Sequence, residues 1–425
     1  MKTLKEPNKK YVGVLLTQRI ESGLEYIESP YIVKNDNLFF NTLTAEAVLV
    51  EDEKKDRSEL IRRWFYIPKS MDPSALAHLI RQKDLLIYSG PGSNKKSLYT
   101  IFTTTACNAS CSYCFEKGYD IYTMDLETAD KVSDYIIETR DKRAPVQLKW
   151  FGGEPLVNKD AINRISKKLI DSNVDFIGGI ISNGDLLGIC SDEELKDIWK
   201  VKTIQLTFDD IGIEYSKIKG LSSDAYARLL ANIERLEKLG IRVNARIHYN
   251  ELLGIESCLR IVEDLKDFKN VSMYTRIVYG EETVQNYSNI LKIEEAINRY
   301  GKNRFALPMY GNPTHCMADN SRMATITPTG ELTPCEHYAY GEHMYGSIYS
   351  RERKQDILNR WSVREKYQSP DCKICPLYPS CRKLTMCPAE GKCSEGYQYY
   401  QIETIKRALR KKVEEINGRD SNTNN

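Results

Sequence analysis

Three cysteines, Cys107, Cys111 and Cys114, fall in one short stretch with the spacing C-x3-C-x2-C. Three thiolates on one loop can hold three corners of a cubane 4Fe–4S cluster and leave the fourth iron open to a further ligand. Free thiols or zinc are the alternative. A structural zinc site closes with four ligands, however, and no fourth Cys or His stands nearby. Seven more, Cys316, Cys335, Cys372, Cys375, Cys381, Cys387 and Cys393, lie between residues 316 and 393, towards the end of the chain. The remaining two, Cys190 and Cys258, are isolated in helix-like or loop stretches and read as buried core thiols. A disulfide framework belongs to small secreted chains, and this chain has 425 residues and no recognisable secretory start. Clustered cysteines in such a chain point to metal.

The elements that must position these thiols can be read from periodicity. Residues 1–95 hold no cysteine. Short strands are expected at LEYIES, YIVKND, NLFFNT and AEAVLVED, with a hairpin turn at Asn35, Asp36 and Asn37. Helices are expected at DRSELIRRWFY and DPSALAHLIRQKD, each opened by its aspartate, and DLLIYSG closes this unit. Pro91, Gly92, Ser93 and Asn94 read as a linker. Residues 96–305 alternate between six strand candidates (SLYTIFTT, VQLKWF, VDFIGGIIS, KTIQLTF, RVNARIHY, VSMYTRIVY) and helical stretches, DEELKDIWK among them. That alternation predicts an α/β fold with a parallel sheet. Six units fall short of the eight of a closed barrel, so a partial (βα)6 barrel is expected. Residues 306–400 lose the alternation and need metal staples to hold a core. Residues 401–412 read as a basic helix, and 401–425 as that helix followed by a disordered polar tail.

Several function classes are excluded early. The 61 basic and 59 acidic residues nearly cancel, which argues against nucleic acid or an anionic membrane as partner. No window reaches about 18 apolar residues, so no membrane span is expected, and a cytoplasmic location is the expectation.

The motifs carry a family resemblance. The C-x3-C-x2-C loop, with the aromatic Tyr113 before its last cysteine, resembles the signature of radical S-adenosylmethionine enzymes. Three later motifs resemble that family strand by strand. Gly152, Gly153, Glu154 and Pro155 follow the second strand and resemble its GGEP. Ser182, Asn183 and Gly184 end the third strand and resemble its SNG. Asp209 ends the fourth, where Ser and Gly of the family's S-x-D-G are replaced. Lys219 stands where the family has an arginine for the methionine carboxylate, and Arg246 matches a position near the cofactor. The resemblance therefore implies S-adenosylmethionine held by Tyr113, Gly152, Gly153, Glu154, Ser182, Asn183, Asp209, Lys219 and Arg246. In the family, cleavage of the bound sulfonium by one electron yields a 5′-deoxyadenosyl radical that abstracts hydrogen from substrate.

The second cysteine set resembles the SPASM extension of radical S-adenosylmethionine peptide maturases, which binds two auxiliary clusters. Carried over, Cys372, Cys375, Cys381 and Cys393 bind one, while Cys316, Cys335 and Cys387 bind the other, for three [4Fe–4S] clusters in all. The family has one more cysteine shortly before Cys316. Either His315 fills its place or an iron is left open to a substrate thiolate. Residues 1–95 resemble the winged-helix-like element that takes a leader peptide as an added strand. The resemblance implies a ribosomally made precursor peptide as substrate, a flavodoxin- or ferredoxin-type electron donor, and a crosslink as product, expected to be a cysteine thioether. Carbon–carbon or carbon–oxygen crosslinking, protein oxidation of the sulfatase-maturase kind, and a non-catalytic iron–sulfur or zinc scaffold are the alternatives.

Overall fold

The hairpin expected at Asn35, Asp36 and Asn37 forms, and it sets the register of the first sheet. Asp36 takes the left-handed backbone (φ 53°) that a two-residue hairpin turn requires. About it, Ile32–Asn35 (β3) pairs antiparallel with Leu38–Asn41 (β4). Strands Lys2–Lys5 (β1) and Glu46–Leu49 (β5) complete a four-stranded antiparallel sheet in the order β1-β5-β4-β3. Tyr26–Glu28 (β2) pairs separately with Tyr66–Pro68 (β6). The computed structural model describes residues 1–8, 17–89, 95–303, 317–338, 341–362, 369–381, 383 and 393–422. The linker read at Pro91, Gly92, Ser93 and Asn94 lies outside them.

The chain divides into two compact units, one of Met1–Gly90, Phe305–Asp319 and Val363–Asn425, the other of Pro91–Arg304 and Asn320–Ser362. In the first unit three expectations are corrected. The helix read from DRSELIRRWFY begins earlier, at Glu53, and its cap is Asp52, whose carboxylate accepts from the backbone N–H of Lys54 and Lys55. It stops at Arg62, because Trp64 turns left-handed (φ 65°) and Tyr66 and Ile67 are buried in β6. The DLLIYSG run is no separate closing element, because helix Pro73–Ser89 continues through it. The C-terminal helix spans Glu395–Asn422, longer at both ends than the expected 401–412. Its Ile402, Ile405, Leu409, Val413 and Ile416 recur every three or four residues and pack on Val33, Leu38 and Phe40. Replacing Asp52 with Ala is expected to cost about 1 kcal/mol in denaturant unfolding of this unit. Asp56, the cap suggested by sequence, instead pairs with the N-terminal ammonium at 3.1 Å; the Asp56→Ala variant should leave helix capping intact.

The second unit is built on one nine-stranded sheet. Leu98–Thr104 (β7), Val146–Gly152 (β8), Phe176–Ser182 (β9), Val201–Phe208 (β10), Arg242–Asn250 (β11) and Val271–Tyr279 (β12) run parallel, each beside its predecessor. Helices cross over between them, as the alternation predicts. DEELKDIWK is an exception and forms only a single turn at Glu194–Ile198. Its Trp199 is fully buried and donates to the Asn163 side chain at 2.8 Å, which ends the turn there. Beyond β7 the sheet continues through Met323–Ile326 (β13), parallel to β7, and then the antiparallel Glu331–Thr333 (β14) and Gly346–Ser347 (β15). The β13–β14 turn uses Gly330 at φ 87°. Six parallel strands open at one edge and extended by a hairpin at the other make a partial barrel.

Candidate active site

Side chains from five consecutive strand ends meet beneath the first cysteine loop. Thr104 ends β7, and the chain then carries Cys107, Cys111 and Cys114 across the carboxyl end of the sheet, where α/β folds place their chemistry. Cys107 is exposed, and the other two thiols are half-buried. Although Cys107 is exposed as a residue, the protein atoms packed around its sulfur strip hydration from it and push the thiol up to about 11; the same effect raises that of Cys114. The loop is pinned at several points: Cys114 N–H donates to Cys111 O at 3.3 Å, and Ser110 N–H to Lys219 O at 2.8 Å. Gly220 (φ 63°) follows Lys219, and any Cβ there would lie 2.0 Å from Ser110 Oγ.

The Gly152–Gly153–Glu154 turn lies against the start of this loop. Gly153 N–H donates to Thr104 O at 3.1 Å, and Glu154 N–H to Ala106 O at 2.9 Å. Cβ atoms on Gly152 and Gly153 would fall 2.0 Å from Thr104 O and 2.5 Å from Ala106 O. The close approach that glycine permits here serves the contact between two protein backbones. Glu154 is fully buried, and its carboxylate accepts from Ser182 Oγ (3.0 Å to each oxygen), Asn183 N–H (2.8 Å) and Leu156 N–H (3.2 Å). It thereby ties the end of β8 to that of β9. Asn183 in turn donates to Asn108 Oδ1 at 2.8 Å and lies 3.8 Å from Cys107 Sγ. Ser182 and Asn183 are thus held by Glu154 beside the thiol loop.

Burial pushes the Glu154 carboxyl from 4.5 up to about 7. Between those values the unfolded chain releases the proton that the folded chain keeps, so stability falls as pH rises through this interval. Glu154→Gln, which cannot ionise, is expected to remove that slope from thermal melts while lowering overall stability by about 1–3 kcal/mol, because one acceptor oxygen is lost.

A buried charged cluster sits one strand further on. Asp209, at the end of β10, pairs with Lys219 Nζ at 2.9 Å and accepts from His248 Nδ1 at 2.9 Å. Lys219 also donates to Thr207 Oγ1 at 2.9 Å and lies 3.4 Å from the Tyr113 hydroxyl. Tyr113, from the cysteine loop, stands edge-on to the His248 ring with centroids 5.3 Å apart. Burial alone would raise the Asp209 carboxyl, yet Lys219 and His248 hold it well below the usual range. Lys219 is carried well above its ordinary value by Asp209 against the effect of burial. Burial lowers His248, so its ring is neutral and Nδ1–H donates to Asp209. His248 was not among the residues singled out from sequence. It stands two residues beyond Arg246 on β11, and strand alternation places the two on one face.

The described cysteines of the C-terminal set divide between the units. Cys372, Cys375, Cys381 and Cys393 line one cavity of about 280 Å³ in the first unit, with Tyr378 and Tyr397. Burial pushes Cys375 up to about 11. Among the described residues, no three His, Cys, Asp or Glu side chains converge closely enough to hold a single ion. Cys335 belongs to the second unit, and its segment packs on the first cysteine loop. There the Phe115 and His337 rings lie 4.4 Å apart, Tyr119 donates to His337 O at 3.1 Å, and Lys149 pairs with Glu336 at 2.9 Å. Cys316, Cys387 and His315 lie outside the described residues.

These residues fit the implied groups. The donor set of Cys107, Cys111 and Cys114 suits an iron–sulfur cluster with one open corner. Beside it, Arg246 Nε and His248 Nε2 are buried without a hydrogen-bond partner among the described residues, as a site for a polar ligand requires.

Residues 101–265 match the model of the Radical SAM superfamily, and this part of the chain is a radical SAM domain. The chain is 22% identical to GTP 3′,8-cyclase of Clostridium perfringens over 304 residues, covering 64% of this chain and 91% of that one. It is also 22% identical over 435 residues to the radical SAM cyclopropyl synthase TigE of Paramaledivibacter caminithermalis, covering 85% and 89%. Among solved structures, anSMEcpe with bound AdoMet and Cp18Cys peptide superposes with a TM-score of 0.56 at 16% identity, covering 76% and 99%. Streptococcus suis SuiB bound to precursor peptide SuiA gives 0.50 at 14%, covering 84% and 94%. At these identities the structural likeness is one of fold. No helix among the described residues is long and apolar enough to cross a membrane.

Proposed function

We propose that this chain is a radical S-adenosylmethionine maturase that crosslinks a ribosomally made precursor peptide, with a cysteine thioether as product. The convergence of five strand ends on the Cys107 loop carries the radical chemistry. When bound, the cluster and S-adenosylmethionine supply a 5′-deoxyadenosyl radical able to abstract hydrogen from an unactivated C–H bond. Cys107, Cys111 and Cys114 would hold the cluster. Arg246 and His248 offer buried nitrogens to the cofactor, and Glu154 fixes Ser182 and Asn183 beside it. Tyr113, locked by Asp209, Lys219 and His248, keeps the loop over the barrel. Cys372, Cys375, Cys381 and Cys393 would hold an auxiliary cluster, while Cys335 with Cys316 and Cys387 would hold another that is one thiolate short. That shortfall favours a substrate thiolate and hence a thioether. The peptide reading is supported by the peptides bound in the anSMEcpe and SuiB structures, and the edge strands β1 and β3 offer a backbone on which a leader can add. A flavodoxin- or ferredoxin-type protein would supply the electron.

One observation favours a second product. TigE, which aligns with most of the chain, is a cyclopropyl synthase, so a carbon–carbon bond is the alternative. The test begins with anaerobic reconstitution and measurement of 5′-deoxyadenosine after adding S-adenosylmethionine and dithionite. Cleavage that is lost in the Cys107/Cys111/Cys114→Ala variant establishes the radical enzyme. No cleavage in the wild type, with zinc as the bound metal, returns the scaffold reading. With a precursor in hand, alkylation of product thiols separates a thioether, which consumes a cysteine, from a carbon–carbon bond, which does not.

A further inference from the structure

The four-thiol cavity is built as much by the first 90 residues as by the cysteine segment itself. Three side chains from the N-terminal part of the first unit reach the carbonyls of residues 373–381. Tyr31, 1% exposed, donates its hydroxyl to Lys373 O at 2.8 Å. Thr42 donates to Pro376 O at 2.5 Å. Arg81, also 1% exposed, donates through Nη1 to Tyr378 O at 3.0 Å and to Cys381 O at 3.2 Å. Packing follows the same path. Tyr31 stacks on Tyr378 with centroids 6.3 Å apart, and Cys372, Cys375 and Cys381 lie against the cluster formed by Tyr31, Leu43, Ala77, Ile80 and Tyr378.

Arg81 differs from the other two contacts in kind. A guanidinium stays charged at every accessible pH and is costly to bury unless its charge is used. Here it is bonded to the carbonyl of one of the four thiol residues. We propose that Arg81 is a positioning residue for the iron–sulfur centre that Cys372, Cys375, Cys381 and Cys393 would hold, and that its charge raises the reduction potential of that centre. The physics is direct. Reduction adds an electron to an already anionic cluster, and a fixed positive charge nearby in a medium of low polarisability favours the reduced form. The inference rests on the reading of this cavity as a cluster site.

The test uses the reconstituted full chain with Cys107, Cys111 and Cys114 replaced by Ala, so that auxiliary signals stand alone. Iron per chain is measured first, followed by a redox titration monitored by electron paramagnetic resonance. Assignment of the signal comes from its loss in a further Cys372→Ala variant. A signal that Cys372→Ala leaves unchanged defeats the reading of the cavity and leaves nothing for Arg81 to tune. Where the signal is present, Arg81→Gln keeps two donors and removes the charge, whereas Arg81→Lys keeps the charge. In Arg81→Gln the equilibrium should shift at least tenfold toward the oxidised form, which is 59 mV lower for one electron, while Arg81→Lys stays near wild type. Selective loss of the Cys372-dependent iron in Arg81→Gln, with retention in Arg81→Lys, also supports the assignment. Full iron and an unchanged potential in Arg81→Gln overturns it.

Discussion

Gly152→Ala is expected to abolish S-adenosylmethionine cleavage and to release iron from the Cys107 loop, although the chain still folds. The new methyl group meets two obstacles. Its backbone stands at φ 138°, a region that side chains rarely adopt. Its Cβ would also fall 2.0 Å from the carbonyl oxygen of Thr104, a backbone atom that cannot rotate away. Thr104 is the residue from which the cysteine loop departs. It accepts from Gly153 N–H, while Ala106 accepts from Glu154 N–H. Relief of the clash must therefore part the turn from the loop, and with it the bonds that set where Cys107 begins. A misplacement on the order of 1 Å can cost about a hundredfold in rate; one that also disturbs a metal ligand should cost more. Gly240→Ala is the control. It too has positive φ (69°) but finds no atom within 4 Å of the added Cβ. Strain of about 1–3 kcal/mol is its whole expected effect, with iron and cleavage retained. The measurements are iron per chain, 5′-deoxyadenosine and far-ultraviolet circular dichroism on both variants. Full iron and cleavage in Gly152→Ala would show that the turn can part from the loop without consequence.

The sequence made the parallel strands and first cysteine loop legible, because each strand is an apolar run bounded by turns. All six strands form where periodicity put them, and the β13–β14 hairpin follows its Thr-Gly-Glu turn. What stayed hidden depended on partners distant in the chain. The cap at Asp52 was missed because Asp56 stands closer to the apolar residues, and only the position of Tyr66 in a strand shortens the helix. DLLIYSG is apolar and short, so periodicity alone cannot tell strand from helix. Arg81 resembles any helix arginine until Tyr378 and Cys381, about three hundred positions later, are brought to it. His248 was within reach, because its spacing from Arg246 gives the shared strand face. Its contacts with Asp209 and Tyr113 come only from the folding of three elements onto one point. The motif glycines were legible by type and spacing, but what lies against them, the backbone of the thiol loop, belongs to the structure.

The second large effect is expected at Lys219, where Lys219→Met should destabilise the second unit by about 3–5 kcal/mol. Methionine fills a similar volume, so the loss is not one of packing. It strands the Asp209 carboxylate, 3% exposed, with only neutral groups, the His248 ring and the Tyr113 hydroxyl, beside it among the described residues. A buried pair contributes little over an apolar replacement, whereas removal of one partner leaves the full desolvation of the other. The Lys219→Met/Asp209→Leu double variant should therefore be more stable than Lys219→Met alone. The pH dependence gives a sharper signature. Wild-type Asp209 is held well below 3.8 and Lys219 well above 10.5, so the pair's contribution is fully present between those values and is lost only as pH falls through the depressed Asp209 value or rises through the raised Lys219 value. In Lys219→Met the stranded carboxyl is raised instead, and protonation relieves it as pH falls. The gap between wild type and variant, measured by urea unfolding of metal-free chains, should be widest near neutral pH and narrow toward pH 4. A gap constant across that range would mean that lysine is valued at this position for shape rather than charge, and that Tyr113 is held over the barrel by packing alone.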